Sequence, residues 1–263
     1  MTYNSTPLNT TVNLAFEEHG SGTPVLLLHG FPLNRRIWQE QVNGFSTSAH
    51  LILPDLRGHG ASPAPEGAYS LDLMAQDVIQ LLNRLDIPKA IWVGHSMGGY
   101  ITMAAWRLAP ERFSGMGLVA TNHKADTPEA EAKRYETAEK VAAEGSKAAL
   151  NPKLFHPAAP PNAPYIQATE SIMLNTQPTG IMGALQALAS RPDSSDTLKS
   201  VTVPTVVIGG EGDQLFKPEI PQEMARLVPN AVLTMIDAAG HMPMMETPSA
   251  VNHALVELIN QLA

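Results

Sequence analysis

The sequence predicts an α/β fold built on a parallel sheet whose strands are connected through helices. Residues 24–28 and 51–53 are continuous apolar runs, which are typical of strands buried on both faces. Segments with helical spacing follow these runs, and strands that alternate with helices favour parallel pairing. A chain of 263 residues, 44% of them hydrophobic, is long and apolar enough to form a large core of this kind.

The predicted strands and helices can be placed in order along the chain. Strands are predicted at residues 11–16, 24–28, 51–53, 91–93, 117–120, 205–208 and 231–236. Helices are predicted at residues 34–45, 70–85, 101–109, 128–144, 164–175, 178–190 and 247–262. Ser70 is a favourable cap for the second helix, and Thr247-Pro248 is a favourable start for the last one.

The alternation of strands and helices stops between residues 122 and 200. Three helices are predicted there with no strand between them, and strand signals resume only near residue 205. We therefore predict one core domain made of residues 1–121 and 201–263. Residues 122–200 are predicted to form a helical insertion, the cap.

The composition excludes several classes of protein. Seventeen Lys and Arg against 25 Asp and Glu give a formal net charge of −8, which argues against nucleic acid or an anionic membrane as the partner. The chain has no cysteine, so disulfides, thiolate metal sites and a cysteine nucleophile are excluded. No apolar run is long enough to span a membrane, and the first residues lack the pattern of a signal peptide. The expected location is the cytoplasm.

The segment from Gly94 to Gly98, GHSMG, has the pattern of a nucleophile elbow. It follows a predicted buried strand and precedes a predicted helix, and this is the context in which G-x-S-x-G exposes a reactive serine. The two glycines have no Cβ and let the strand and the helix approach closely. Ser96 is therefore the predicted nucleophile.

A serine is a poor nucleophile unless a base accepts its proton and a third group orients that base. His241 lies in a loop after the last predicted strand, at the edge where sites form in open α/β sheets, and is the predicted base. The acid is expected between Ser96 and His241 in the chain, and Asp213 follows the strand at 205–208. Glu211 is the alternative acid, and Asp237 is predicted to hold the turn before His241.

Acyl transfer also needs two N–H donors that stabilise the oxyanion. The backbone N–H of Met97 is predicted to lie at a helix N-terminus, where negative charge is favoured. The loop after the strand at 24–28 supplies the second donor. Phe31 is the natural choice, because Pro32 has no N–H to donate.

Five motifs together resemble the α/β-hydrolase family. They are HGFP at 29, DLRGHGAS at 55, GHSMGG at 94, GEGD at 210 and AGHMPMMETP at 239. The resemblance implies a mostly parallel eight-stranded sheet with helices on both faces and a helical cap inserted after the sixth strand. It also implies a Ser-His-Asp triad that uses neither a cofactor nor a metal.

Within that family the chain is similar to small capped serine esterases, 3-oxoadipate enol-lactonases and perhydrolase-like enzymes. Ser96 distinguishes it from haloalkane dehalogenases and epoxide hydrolases, which carry Asp at the nucleophile position. Pro32 after the predicted oxyanion residue resembles the perhydrolase-like members. It suggests a side activity in which peroxide takes the acyl group in place of water.

The cap is predicted to supply an apolar substrate pocket. The candidate lining residues are Phe155, Met173, Met182 and Met242, because methionine side chains form deformable apolar surfaces. Arg134 and Arg191 are the two arginines of the cap, and nothing in the sequence places them inward. The absence of an evident arginine cluster weakens the enol-lactonase interpretation.

The predicted function is hydrolysis of small carboxylic esters through an acyl-enzyme. The expected partner is a small-molecule ester or lactone substrate, with no nucleic acid and no membrane, and the sequence leaves the oligomeric state open. Three alternatives remain open. The first is a lactonase on the same triad, and the second is a ligand-sensing signalling protein with slow turnover. The third is a lyase that uses the triad for acid–base chemistry without an acyl-enzyme.

Overall fold

The computed structural model describes residues 7–262. Seven strands of this part of the chain form one sheet, in the order β1-β3-β2-β4-β5-β6-β7. They are β1 Phe16–His19, β2 Thr23–Leu28, β3 Ala49–Pro54, β4 Ala90–His95, β5 Phe113–Val119, β6 Thr205–Gly210 and β7 Val232–Ile236. Strand β1 pairs antiparallel with β3, and all the other pairs are parallel.

The α-helices lie largely where the sequence predicts them. They are α1 Gln39–Phe45, α2 Leu71–Arg84, α3 Met97–Leu108, α4 Pro128–Glu144, α5 Pro164–Asn175, α6 Pro178–Ala189, α7 Ser195–Lys199, α8 Glu219–Leu227, α9 Pro243–Glu246 and α10 Pro248–Asn260. A 3-10 turn at Arg35–Trp38 forms the first part of the predicted helix at 34–45. The Ser70 side chain accepts a hydrogen bond from the Leu73 N–H and caps α2 as predicted.

The predicted strand at residues 11–16 is wrong in its placement. The strand begins only at Phe16, because the backbone before it is bound by side chains. The N–H of Val12 donates to Asp77 Oδ1, and that of Ala15 donates to Ser62 Oγ. The resemblance implies eight strands, whereas the sheet within residues 7–262 has seven.

Both faces of the sheet are buried, as the apolar runs predict. Along β2, Leu26 and Leu28 belong to one apolar cluster, which includes buried residues of α2 and α3. Val25 and Leu27 point to the opposite face, into a second cluster with residues of α1 and α10. Successive side chains of a strand point to opposite faces, so one run of four apolar residues supports helices on both sides.

The chain leaves the sheet after β5 and returns to it at β6. Helices α4 to α7 occupy this interval, and the described residues between the two strands contain no strand. Ile181, Met182 and Leu185 of α6 pack against Ala138 and Val141 of α4. Among residues 7–262, no helix is long and apolar enough to cross a membrane.

A buried ion pair ties the loop after β3 to helix α2. The Arg57 guanidinium is fully buried and donates to both carboxylate oxygens of Asp77, with Nη2 2.6 Å from Oδ1. Arg57 Nη2 also donates to the Thr10 carbonyl, and Asp77 accepts from the Val12 N–H. Burial raises the pKa of Asp77, although the hydrogen bonds from Arg57 oppose that effect. The pair therefore holds three segments of the chain together.

Replacing Asp77 with alanine should destabilise the fold strongly, because it leaves the buried Arg57 charge without its partner. Breaking a buried pair from one side typically costs about 3–5 kcal/mol of unfolding free energy. Urea denaturation measures this loss. Asp72→Ala on the same helix is the control, since Asp72 is 56% exposed and pairs with Arg107 at the surface. Its loss should stay below about 1 kcal/mol. Equal losses of unfolding free energy in the two variants would show that the buried Arg57–Asp77 pair stabilises the fold no more than a surface pair does.

Candidate active site

Ser96 lies at the tight turn between β4 and α3. Its φ of +50° and ψ of −113° place a non-glycine residue in a strained region of backbone space. A Cβ at Gly94 would lie 2.3 Å from the Gly98 carbonyl oxygen, and one at Gly98 would lie 2.5 Å from that of Leu28. These contacts exclude any side chain at either position. The elbow therefore has the geometry that its two glycines predict.

Ser96, His241 and Asp213 lie in one continuous chain of hydrogen-bond contacts. Ser96 Oγ is 3.0 Å from His241 Nε2, and His241 Nδ1 is 2.8 Å from Asp213 Oδ2. The three residues follow β4, β7 and β6 respectively, so the parallel sheet brings their loops to one edge. His241 and Asp213 are buried, and Ser96 is partly exposed to a cavity.

The surroundings of Asp213 favour its ionised form. Burial alone would raise the pKa of its carboxyl, but the His241 imidazole and two backbone donors outweigh that effect and lower it. Oδ1 accepts hydrogen bonds from the N–H groups of Leu215, at 2.7 Å, and Phe216, at 3.0 Å. Glu211, the alternative acid, is exposed and has no hydrogen bond to His241, and the same holds for Asp237 in the turn before it.

Backbone hydrogen bonds join the loop that carries Asp213 to the segment before His241. The Glu211 N–H donates to the Ile236 carbonyl, and the Gly212 N–H donates to the Ala239 carbonyl. The relative positions of Asp213 and His241 are therefore fixed by main-chain contacts as well as by their own hydrogen bond.

Sequence reasoning missed Glu246, which holds the loop around His241. Its Oε1 accepts from the N–H groups of Gly240, at 2.9 Å, and Met242, at 3.2 Å. Its Oε2 accepts from the His156 N–H at 2.7 Å. Burial raises the pKa of this carboxyl despite the three donors. The residue stands in the motif AGHMPMMETP, four positions after Met242, but the sequence does not show that it turns back towards the loop.

His95 is a second residue whose role was missed. It is fully buried beside the elbow, and burial lowers the pKa of its imidazole to about 3. The neutral ring has its Nε2 2.8 Å from the carbonyl oxygen of His241, to which it donates a hydrogen bond. The two imidazole centroids are 5.0 Å apart. His95 thus anchors the backbone of His241.

The two predicted oxyanion donors lie at the same edge. Met97 is the first residue of α3, and Phe31 follows the end of β2. Within the described residues, neither backbone N–H donates to another protein group, which leaves both available to a ligand. Phe31, Pro32 and Met97 line the cavity beside Ser96.

A cavity of about 1010 Å³ lies above Ser96, between the sheet edge and the inserted helices. Met173 lines it, but three of the predicted pocket residues do not: Phe155, Met182 and Met242. Phe155 and Met242 are buried in the core, where the Phe155 ring contacts that of Tyr165. Met182 packs between helices α4 and α6. These three apolar side chains pack in the core and do not face the cavity.

Arg134 and Arg191 correct a further expectation from the sequence. Both line the cavity, and both bind the carboxylate of Asp126. The insertion therefore places charged groups, as well as apolar ones, around the cavity that Ser96 lines.

Comparisons with known proteins agree with this architecture. A solved structure of a thermophilic esterase from Thermogutta terrifontis, with malate bound, superimposes with a TM-score of 0.92. It is 36% identical in sequence, and the match covers 95% of this chain and 94% of that one. The 3-oxoadipate enol-lactonase 2 of Acinetobacter baylyi is 29% identical over 223 residues, which are 84% of this chain and 83% of that protein.

A longer protein is similar as well. The dihydrolipoyllysine-residue acetyltransferase component of the acetoin cleaving system of Pseudomonas putida is 31% identical over 253 residues. The match takes in 94% of this chain but only 66% of the length of that protein. The model of the alpha/beta hydrolase fold matches residues 23–248. With its mostly parallel sheet and its five motifs in order, the chain belongs to the α/β-hydrolase family.

Proposed function

We propose that the protein hydrolyses small carboxylic esters through an acyl-enzyme formed on Ser96. The observation that carries this proposal is the chain of contacts from Ser96 through His241 to Asp213, which ends at a cavity. A serine oxygen next to an imidazole oriented by a carboxylate is the arrangement that activates a hydroxyl nucleophile. Relatives named as an esterase and an enol-lactonase support the same chemistry.

In the first half-reaction His241 Nε2 takes the proton of Ser96 as Oγ attacks the ester carbonyl. The bond to the alcohol oxygen then breaks, and the leaving alkoxide takes the same proton from the imidazolium. In the second half-reaction water gives its proton to His241 and attacks the acyl carbon. The acid leaves, and the proton returns to Ser96 Oγ. Asp213 stays ionised throughout and stabilises the imidazolium.

The backbone N–H groups of Phe31 and Met97 are the proposed oxyanion donors. Negative charge develops on the carbonyl oxygen during both half-reactions, and donors fixed before the reaction stabilise it without reorganisation. The position of Met97 at the N-terminus of α3 adds the favourable end of the helix dipole.

A lactone is a second candidate substrate, supported by the relatives named as enol-lactonases. In a lactone the leaving oxygen remains attached to the acyl-enzyme, so one open-chain product forms instead of two. The same residues would act in the same order. The signalling and lyase alternatives differ in their outcome, since the first leaves a long-lived adduct and the second forms none.

Residues 122–200 are proposed to act as a cap that sets substrate preference. The cavity lies between Ser96 and this insertion, and its lining includes Met173 of α5 and Leu185 of α6. A substrate held there would contact side chains that take no part in the reaction itself.

Ser96→Ala and His241→Ala should each abolish most ester hydrolysis without unfolding the protein. Loss of a nucleophile or its base typically lowers kcat by about 10⁴–10⁶. Steady-state rates on 4-nitrophenyl acetate and butyrate measure the loss, and circular dichroism shows whether the fold is kept. Activity within tenfold of the wild type in either variant would refute the assignment.

Asp213→Asn should lower kcat sharply, whereas Glu211→Gln should leave it nearly unchanged. Asparagine removes the negative partner of the imidazolium, and a comparable change in a Ser-His-Asp triad costs about 10⁴ in kcat. Glu211 is exposed and is the matched control on the same loop. The reverse result would identify Glu211 as the acid.

Met173→Ala should change the preference for acyl chain length, and Met182→Ala should not. Met173 lines the cavity, whereas Met182 packs between α4 and α6. The loss of one apolar contact with substrate is worth roughly 1–3 kcal/mol in kcat/KM. The ratio of kcat/KM for 4-nitrophenyl hexanoate and acetate measures the effect. An unchanged ratio in a folded Met173→Ala variant would place the substrate elsewhere.

A further inference from the structure

The cavity above Ser96 is rich in cations although the protein is acidic. Its lining contains six basic residues: Lys124, Lys133, Arg134, Lys140, Arg191 and Lys217. Within the described part of the chain, only three acidic residues line it: Asp126, Glu219 and Glu223. The whole chain has a formal net charge of −8, so this balance is local to the cavity. A cleft lined by an excess of one charge concentrates ligands of the opposite charge.

The cations of the cavity are not equally available to a ligand. Lys124 lies 2.7 Å from Glu223, and Lys133 and Lys140 both pair with Glu136. Arg191 is buried and uses its donors on Asp126 and on the carbonyls of Lys124 and Leu188. These groups are largely satisfied by the protein itself.

Arg134 is the guanidinium that keeps free donors. Its Nε donates to Asp126 Oδ2 at 3.0 Å, and its side chain is 28% exposed. Among the described residues its two terminal nitrogens have no hydrogen-bond partner. Asp126 also binds Arg191, so one carboxylate lies between two guanidinium groups and cannot neutralise both. A planar guanidinium with two free nitrogens is suited to bind a carboxylate through two hydrogen bonds.

Tyr100 supplies a second, independent observation. It lies one helical turn after Ser96, lines the cavity and is 4% exposed. Its hydroxyl has no hydrogen-bond partner among the described residues, although buried hydroxyls are usually paired. Arg191 covers the face of its ring at 4.5 Å. Burial raises the pKa of the hydroxyl, so it keeps its proton at neutral pH and can donate it to an anion.

We propose that Arg134 and Tyr100 form a subsite for a carboxylate group carried by the substrate. The preferred substrates are then esters or lactones with a free carboxylate in the acyl or the alcohol part. The inference rests on the proposed function for the reaction itself and adds the chemical class of the substrate. Arg134 and Tyr100 act as specificity-determining residues and take no part in proton transfer.

Matched pairs of esters that differ in charge test the subsite. On the alcohol side, 4-acetoxybenzoate is compared with the neutral 4-acetoxybenzamide. On the acyl side, mono-4-nitrophenyl adipate is compared with 4-nitrophenyl heptanoate. In at least one pair the wild type should prefer the anion by roughly tenfold or more in kcat/KM, as charge-assisted hydrogen bonds allow. The preference should fall as salt is added, because the Arg134 side chain is partly exposed and salt screens charge interactions at exposed sites.

Two variants and one control connect the preference to the residues. Arg134→Gln and Tyr100→Phe should each lower the anion-to-neutral ratio several-fold. The hydroxyl removed in Tyr100→Phe has no hydrogen-bond partner within residues 7–262, so its loss should not lower the melting temperature. Arg107→Gln is the matched control, because Arg107 is 29% exposed, pairs with one acid and lies outside the cavity lining. It should keep the wild-type ratio.

Calorimetry with glutarate, a dicarboxylate that cannot react, separates this inference from the proposed function. Glutarate should bind the wild type, and its affinity should fall in Arg134→Gln but not in Arg107→Gln. Binding of this kind without hydrolysis of any ester would keep the subsite and refute the proposed function. Hydrolysis with no preference for the anion in either pair would overturn the subsite alone, and so would an equal fall of the ratio in Arg107→Gln.

Discussion

The active-site edge depends on how closely two stretches of backbone approach each other at Ser96. The carbonyl oxygen of Gly98 occupies the space that a Cβ of Gly94 would need, and that of Leu28 occupies the space next to Gly98. These two close approaches fix the end of β4, the start of α3 and the end of β2 relative to one another. They present Ser96 in a strained conformation, and the Met97 N–H beside it has no acceptor among the described residues. One steric constraint therefore positions the proposed nucleophile together with a proposed donor for the oxyanion.

Two carboxylates, the buried Asp213 and the half-buried Glu246, fix the loops that surround this turn. Asp213 and Glu246 both accept hydrogen bonds from backbone N–H groups of nearby loops. Even so, the pKa of Asp213 is lowered and that of Glu246 is raised. Burial acts in the same direction on both. The difference lies in the His241 imidazole, which hydrogen-bonds to Asp213 and not to Glu246. Asp213 therefore combines a structural role in its loop with the electrostatic role proposed for it in catalysis, whereas Glu246 is a positioning residue.

The sequence predicts those features that local patterns determine. Glycine spacing at the elbow, apolar runs in the strands and caps on the helices yield the fold and place Ser96, Asp213 and His241 at one edge of the sheet. Features that depend on how distant segments pack were missed. Met182 is predicted to line the pocket but packs between two helices. Arg134 lines the cavity, although nothing in the sequence places its side chain there. Residues 11–16 alternate like a strand, but side chains distant in sequence bind that backbone instead.

The packing of the insertion gives the cavity a local excess of basic residues, although the chain as a whole is acidic. Asp126 lies between two guanidinium groups and fixes Arg191, which in turn covers the Tyr100 ring. Arg191, which belongs to the insertion, therefore lies against Tyr100, one helical turn after Ser96. It has no ion pair with Ser96, His241 or Asp213. The apolar side chains of Met173 and Leu185 line the same cavity. The proposed recognition of shape and charge thus comes largely from residues 122–200, whereas the proposed reacting groups lie at the sheet edge. On this proposal, substitutions in the insertion change the preferred substrate while Ser96, His241 and Asp213 keep their geometry.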